Sequence, residues 1–349
     1  MVSDVLYLVI PCFNEEEVLP ETCKRLTKKL NDMIEKQLVS RSSRIVFVDD
    51  GSKDNTWGLI EKLYEENALV LGIKSSRNRG HQNTLLAGLM TVRNDCDLTI
   101  SMDADLQDDI EVLDQFVKKY EEGCEIVYGV RSARQTDTVF KRFTAESYYR
   151  MIRKLGADIV YNHADYRLMS SRALEELEKY KEVNLFLRGV IPLIGFQTGT
   201  VAYERQTRFA GVSKYPLKKM ISFAVDGITS LSMKPIRIIA LAGIALFLVS
   251  ILMMLIYLVG YCTGKTVQGW ATIVISIWGI GGLELLATGI IGEYIGKIYM
   301  ETKGRPRYIV EKYLHRQKRG GEKQNESKRM HSGIYRLGIY CTGNTVRAE

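Results

Sequence analysis

The sequence predicts an α/β protein: a mostly parallel sheet with helices on both faces, then an interfacial amphipathic helix and a two-helix transmembrane hairpin. Three observations predict this. Short apolar runs alternate with amphipathic stretches through residues 1–130, acidic and Asn-rich segments follow the apolar runs, and two long stretches nearer the C-terminus are almost free of charge.

The alternation comes first. Strand-like runs fall at 6–10, 45–48, 70–73, 98–102 and 126–129, and helical patterns at about 17–36, 56–66, 82–93 and 111–120. Strands alternating with helices of this length belong to parallel sheets covered on both faces. Ligands of such sheets sit at the carboxyl ends of the strands, where the polar segments here are concentrated. Beyond residue 131 the pattern weakens. Helical stretches at about 139–155 and 171–179 flank the polar segment YNHADYRLMS at 161–170, and the globular domain is assigned to 1–213.

At 214–235 three lysines (Lys214, Lys218, Lys219) lie beside Met220, Ile221, Phe223, Ile228 and Leu231. This is the pattern of a basic helix lying in a membrane interface, with a surface helix of the globular domain as the alternative. Residues 236–296 hold the hairpin. Its stretch at 238–260 has no charge and its stretch at 270–292 has only Glu284. Each is long enough for a bilayer, which needs roughly 20 residues. Lys234 and Arg237 precede the first stretch, Lys297, Lys303, Arg305 and Arg307 follow the second, and the connecting loop carries Lys265. The positive-inside rule then puts both termini and the catalytic half in the cytoplasm, in a multi-pass protein of the cytoplasmic membrane. Tyr257, Tyr261 and Trp270 would line the outer interface. Glu284 would be costly in hydrocarbon and is expected to face another helix. Gly292 and Gly296 form a GxxxG, which predicts close helix packing and a homo-oligomer. Residues 297–317 are a juxtamembrane segment, and the polar stretch 318–349 is expected to be a disordered tail.

Composition narrows the function. The 349 residues carry a net charge of +7, which suits nucleic acid or an anionic membrane surface, and the excess beside the apolar stretches favours the membrane. The six cysteines are scattered without a CxxC pair, and the four histidines have no ligand spacing, so neither a disulfide framework nor a zinc site is expected. No leader pattern precedes the first strand-like run. There is no GxxxxGK[ST] loop and no GxGxxG after a strand, so a bound diphosphate would be neutralised by metal and arginine instead.

The strongest chemical signal is MDADLQDD at 102–109, after a strand. Asp103, Asp105 and Asp108 crowd one strand end, where an Asp-x-Asp can hold Mg²⁺ or Mn²⁺ against a diphosphate. An acidic turn capping the next helix is the plainer alternative. Three other segments keep it company. IPCFNEEEVLP at 10–20 supplies Pro11, Asn14 and Glu15 to the donor side. VDDGSKDNT at 48–56 supplies Asp49 and Asp50, able to accept from a nucleobase N–H or ribose hydroxyls, or simply forming a turn. In SSRNRGHQNTLLAGL at 75–89, Arg77 and Arg79 are candidate phosphate contacts, Gly80 permits close backbone approach, and His81 reads as a satisfied polar residue at a helix start.

On the acceptor side, Arg131 and Arg134 follow the fifth strand, and Arg205, Arg208 and Lys214 precede the basic helix. They could grip a lipid phosphate or simply snorkel at the interface. Asp165 is an orienting group for Arg131 or the sugar, or a partner of Arg167, and by resemblance to inverting enzymes a candidate base. A phosphate monoester already carries about −1.5 to −2 charges near neutrality, so its oxygen attacks without proton removal and the orienting role is preferred.

In combination FNEE, DDGS, NRG with its following Ala and Gly, DADLQ, DYRL and Gly-x-Ser-Lys-Tyr resemble glycosyltransferase family 2. The likeness is strongest to its polyprenyl-phosphate branch, the dolichyl-phosphate mannose synthases and bactoprenol glucosyltransferases, and spans roughly 5–310. The resemblance implies a GT-A fold and inverting transfer from a nucleotide sugar to a polyprenyl phosphate, with Mg²⁺ or Mn²⁺. Asp103 would lie near the donor, Asp105 and Gln107 would hold the metal, and Asp49 and Asp50 would lie against the nucleoside. UDP-glucose is the first-choice donor, because the two-span architecture and VYGVRSAR look most like the bactoprenol enzymes. GDP-mannose, UDP-N-acetylglucosamine and an aminopentose donor stay open. So do a processive synthase and a non-catalytic membrane scaffold, although the Gln-x-x-Arg-Trp signature of processive enzymes is absent. The sequence departs from the family pattern at HQNTLLAG, where many relatives have lysine after the glycine, and at DDIE, where proline is common.

Overall fold

The structure, a computed structural model, describes residues 3–131, 163–182, 186–204 and 270–316, with isolated helical positions between 236 and 252. Eight strands form one sheet: β1 (Leu6–Cys12), β2 (Arg44–Asp49), β3 (Val70–Ser75), β4 (Leu98–Ser101), β5 (Ile126–Arg131), β6 (His163–Ser170), β7 (Thr198–Tyr203) and β8 (Val310–Leu314), in the order β7-β5-β6-β4-β1-β2-β3-β8. β1 to β4 run parallel, and so do β5 and β7, whereas β6 is antiparallel to β4 and β5, and β8 to β3.

Period-2 alternation along β1 explains the two-faced core. Leu6, Leu8 and Ile10 pack on one face with Leu26 and Leu30 of α1 (Leu19–Glu35), Ile60 of α2 (Thr56–Glu66) and Phe116 of α4 (Leu113–Glu121). Tyr7 and Val9 point the other way, towards Leu85 and Leu89 of α3 (His81–Val92), Leu174 of α5 (Ser171–Glu178) and Val190 of α6 (Leu187–Leu193). The Ala-Gly of the NRG segment has a packing role. A Cβ on Gly88 would meet Val48 and Val9 side chains at 2.7 Å, so α3 lies close on the sheet only because residue 88 has none.

The first five predicted strands are present, and three more join them. β6 carries the DYRL segment, and β7 extends the far edge. β8 lies in the stretch assigned above to a juxtamembrane segment, yet it pairs with β3 along the catalytic sheet. Lys312 Nζ reaches Glu61 at 2.6 Å, and the Arg307 guanidinium donates to the Tyr180 carbonyl at 2.7 Å. α7 (Trp270–Thr302) precedes β8 and runs well past residue 292, where the predicted span ends. Among the described residues no helix is long and apolar enough to cross a membrane. The predicted stretches at 139–155, 214–235 and 318–349, and most of 238–260, lie outside the described residues, as do Arg134, Arg205, Arg208 and Lys214.

Candidate active site

The loops leaving β1, β2 and β3 are strapped to one another at the carboxyl edge of the sheet. Asn14, at φ +54, donates its backbone N–H to the Ser52 hydroxyl at 3.0 Å, and its side-chain oxygen accepts from Lys53 N at 2.9 Å. Glu15 N donates to the Thr56 hydroxyl at 2.9 Å. Pro11 is buried within β1, opposite Val48 of β2. Asp49 is fully buried and accepts from Ser52 N at 3.2 Å; burial pushes its carboxyl up from the ordinary value. Both Asp50 oxygens accept backbone N–H groups of the NRG loop, Arg79 at 2.7 Å and Gly80 at 3.0 Å. Gly51 makes this contact possible, because at φ +66 its missing Cβ would stand 2.8 Å from the Arg77 carbonyl carbon and the Asn78 nitrogen. Arg77 is exposed, whereas Arg79 is half-buried with its Nε shut away from any hydrogen-bond partner.

The acidic loop after β4 sits beside this frame. Thr22 of α1 donates its hydroxyl to the Ala104 carbonyl at 2.8 Å, and Gln107 N donates to Asp105 Oδ1 at 3.1 Å across Leu106, at φ +57. Asp105 is buried, and Asp103 keeps about a third of its side chain exposed (36%). Burial raises the Asp103 carboxyl, and the charges of Asp165 and Asp105 push it further while His81 opposes them. Asp108 is pushed up to about 6, by burial first and then by Asp103. One of its oxygens accepts from the Tyr203 hydroxyl at 2.5 Å and lies 3.7 Å from Arg131, and the other is buried without a partner. Arg131 Nε also donates to the Tyr203 hydroxyl at 3.2 Å. So much negative charge in so little water is what a cation would relieve. Among the described residues no three His, Cys, Asp or Glu side chains form a metal cage. An Mg²⁺-like ion is held by one or two carboxylates together with substrate phosphates, and Asp105 is a buried carboxylate of this loop.

The third part of the site is an ion-pair cluster around Asp165. On β6, Asp165 and Arg167 share a face by the two-residue repeat and pair at 2.6 Å. Arg188 of α6 grips the same carboxylate with Nε at 3.2 Å and Nη2 at 3.1 Å, and His81 Nε2 lies 3.4 Å away. His81 also stands 3.6 Å from Asp103, so it bridges the acidic loop and β6. Burial alone would lower the His81 imidazolium. The hydrogen bond to Asp165 and the charges of Asp103 and Asp165 outweigh that and raise it to about 9. Burial alone would likewise raise the Asp165 carboxyl, but Arg188, His81 and Arg167 hold it well below the usual carboxylate range. A carboxylate so held is a weak proton acceptor. It orients cations, while Arg131 Nε donates to the Tyr203 hydroxyl and its Nη2 lies 3.7 Å from Asp108.

Comparison with known proteins decides the family. The Glycosyl transferase family 2 profile matches residues 7–178. An uncharacterized glycosyltransferase, YkoT of Bacillus subtilis, is 53% identical over 326 residues, covering 93% of this chain and 97% of that one. The chain belongs to glycosyltransferase family 2. A bactoprenol glucosyl transferase of Shigella phage SfX is 38% identical over 87% of this chain and 97% of its own length. Among solved structures, glucosyl-3-phosphoglycerate synthase from Mycobacterium tuberculosis is similar at 14% identity and a TM-score of 0.44, over 65% of this chain and 77% of that one, a likeness too distant to bear on function.

In this glycosyltransferase the carboxyl edge of the sheet gathers the buried carboxylates Asp49, Asp50 and Asp105 and, beyond Asp103, the guanidinium groups of Arg167 and Arg188. The sequence pattern points to Asp49, Asp50, Asp103, Asp105 and Asp165, which the fold brings to one edge of the sheet. It does not point to Arg188 or Tyr203. One signal for Arg188 was present: it is the only charge in the apolar run 185–196. A lone arginine in such a run is rarely buried unless it is paired.

Proposed function

We propose that this glycosyltransferase moves one sugar, with inversion, from a nucleotide diphosphate sugar to undecaprenyl or another polyprenyl phosphate at the cytoplasmic face of a membrane. UDP-glucose is the preferred donor. The observation that carries the reading is the acidic loop after β4, whose Asp103 is linked through His81 to the cation cluster on β6 and α6. Negative donor and negative acceptor can meet only where charge is neutralised, and this edge carries groups of both signs. The similarity to a bactoprenol glucosyl transferase over 87% of this chain, including the apolar C-terminal region, supports the acceptor class.

In this reading the acceptor phosphate oxygen attacks the anomeric carbon in line, and the nucleoside diphosphate leaves. Asp49 and Asp50 shape the nucleoside end, Asp50 by fixing the NRG backbone beneath it. Asp105 and Gln107 would hold a divalent cation, which stabilises charge on the departing diphosphate. No base is required, in keeping with an Asp165 occupied by three cationic partners. The two-helix hairpin is the proposed anchor. It is supported by the charge-free stretch 238–260 and by exposed Ile273, Ile277, Leu285 and Ile298 on α7. A homo-oligomer is proposed from the α7 glycines Gly289, Gly292 and Gly296, around which a Cβ would meet nothing within 4 Å.

The test is purified protein in detergent with undecaprenyl phosphate and Mg²⁺ or Mn²⁺, offered a panel of radiolabelled nucleotide sugars. Label should enter the organic phase from one donor, UDP-glucose first, and EDTA should abolish it. No transfer from any donor, with nucleotide binding absent as well, would refute the reading in favour of a scaffold.

A further inference from the structure

His81 stands where three parts of the site meet. Its chain neighbours on both sides are pinned: Gly80 N–H donates to Asp50 at 3.0 Å, and Gln82 Oε1 accepts from Leu187 N of α6 at 2.9 Å. The imidazole is thereby placed between the acidic loop and β6, with Nε2 3.6 Å from Asp103 and 3.4 Å from Asp165. The two carboxylates are not equally supplied with cations. Asp165 has Arg167 and Arg188 as well, whereas among the described residues Asp103 has no other cation within 4 Å. Beyond its burial, Asp103 is opposed by the charges of Asp165 and Asp105. Without the imidazole it would face both with only the more distant Arg188 charge to offset them.

We propose that His81 is a positioning residue for sugar transfer, holding the Asp103 carboxylate in place beside the donor through its charge. A polar side chain at a helix start needs one partner; His81 has two, on different elements, and its own backbone is tied to a third and a fourth through residues 80 and 82. Such an anchor fixes a reacting geometry in advance, and a misplacement of about 1 Å can cost on the order of 10²-fold in rate. The assignment rests on the proposed placement of Asp103 near the donor.

The test compares wild type, H81Q, H81K and D103N as full-length protein in detergent, below the melting temperature of every variant. Sugar transfer from UDP-glucose to undecaprenyl phosphate gives kcat, and calorimetry gives the affinity for UDP with Mg²⁺. H81Q should lower kcat about tenfold or more, the scale of a lost charge-assisted contact, and bind UDP within about twofold of wild type. H81K should recover part of the lost kcat, because it restores a cation between the two carboxylates. D103N should repeat the H81Q pattern, slow transfer with UDP binding kept. Wild-type kcat in H81Q or in D103N would overturn the assignment, and so would equal slowing by H81Q and H81K. A loss of UDP affinity in H81Q as large as its loss of kcat would reduce His81 to a support of the NRG loop and also overturn it. A wild type that releases UDP from UDP-glucose but transfers sugar to no polyprenyl phosphate would refute the proposed function, and His81 would then be judged on UDP release in the same four proteins.

Discussion

The two halves of the site are held together by different bonds. On the β1–β3 side, loops close on one another through backbone N–H groups and short polar side chains, as in Asn14 to Ser52 and Asp50 to Arg79 and Gly80. On the β5–β7 side, shape depends on charged side chains meeting across distant elements: Asp165 with Arg167 and Arg188, and Asp108 with Tyr203. The first kind of frame tolerates changes in charge and is sensitive to backbone geometry. The second is the reverse, because a buried charge that loses its partner is left uncompensated.

This contrast can be broken at several points. The largest effect belongs to the acidic loop that lies between the halves. Asp105→Ala should lower turnover on the order of 10³-fold or more, the scale of a lost electrostatic contact to a developing charge, with little change in melting temperature. Sugar transfer to the organic phase and thermal melting measure the two sides of that statement. In the ion-pair half, Asp165→Asn should destabilise the fold by about 3–5 kcal/mol, since it strands the buried Arg167; chemical denaturation reads this. Were Asp165 a general base, the variant would lose turnover at unchanged stability.

On the loop side, Gly51→Ala should cost about 1–3 kcal/mol and raise the donor KM, because the added Cβ meets the Arg77–Asn78 backbone at a positive φ. A wild-type melting curve for this variant would show that the NRG loop is not locked as described. The smallest effect is a pH dependence. His81 is raised from 6.5 to about 9 in the folded protein, so its stabilising pairing is fully present below about pH 6.5 and is lost as pH rises through 9. Melting temperatures between pH 6.5 and 9.5 should fall more steeply in wild type than in His81→Gln. Equal slopes would contradict the bridge.

The same contrast explains what was legible in the sequence. Strand ends carrying FNEE, DDGS, NRG and DADLQ are continuous in the chain, and parallel strands deliver their carboxyl ends to one edge, so the motif alone locates the residues. The other half was harder because its pairings are long-range. Arg188 meets Asp165 across 23 positions, and Tyr203 meets Asp108 across 95. β6 reads as a polar segment because Asp165 and Arg167 pair with each other on a largely buried strand. β8 is not legible for another reason. Antiparallel pairing with β3 at the sheet edge is set by where α7 returns the chain, and no local pattern records that.

The product is the most direct test of single-sugar transfer to a lipid phosphate. Mass spectrometry of the organic-phase lipid formed from UDP-glucose and undecaprenyl phosphate should show one hexose per lipid and no longer species. A ladder of hexoses, or labelled glucose that never joins the lipid phosphate, would contradict it.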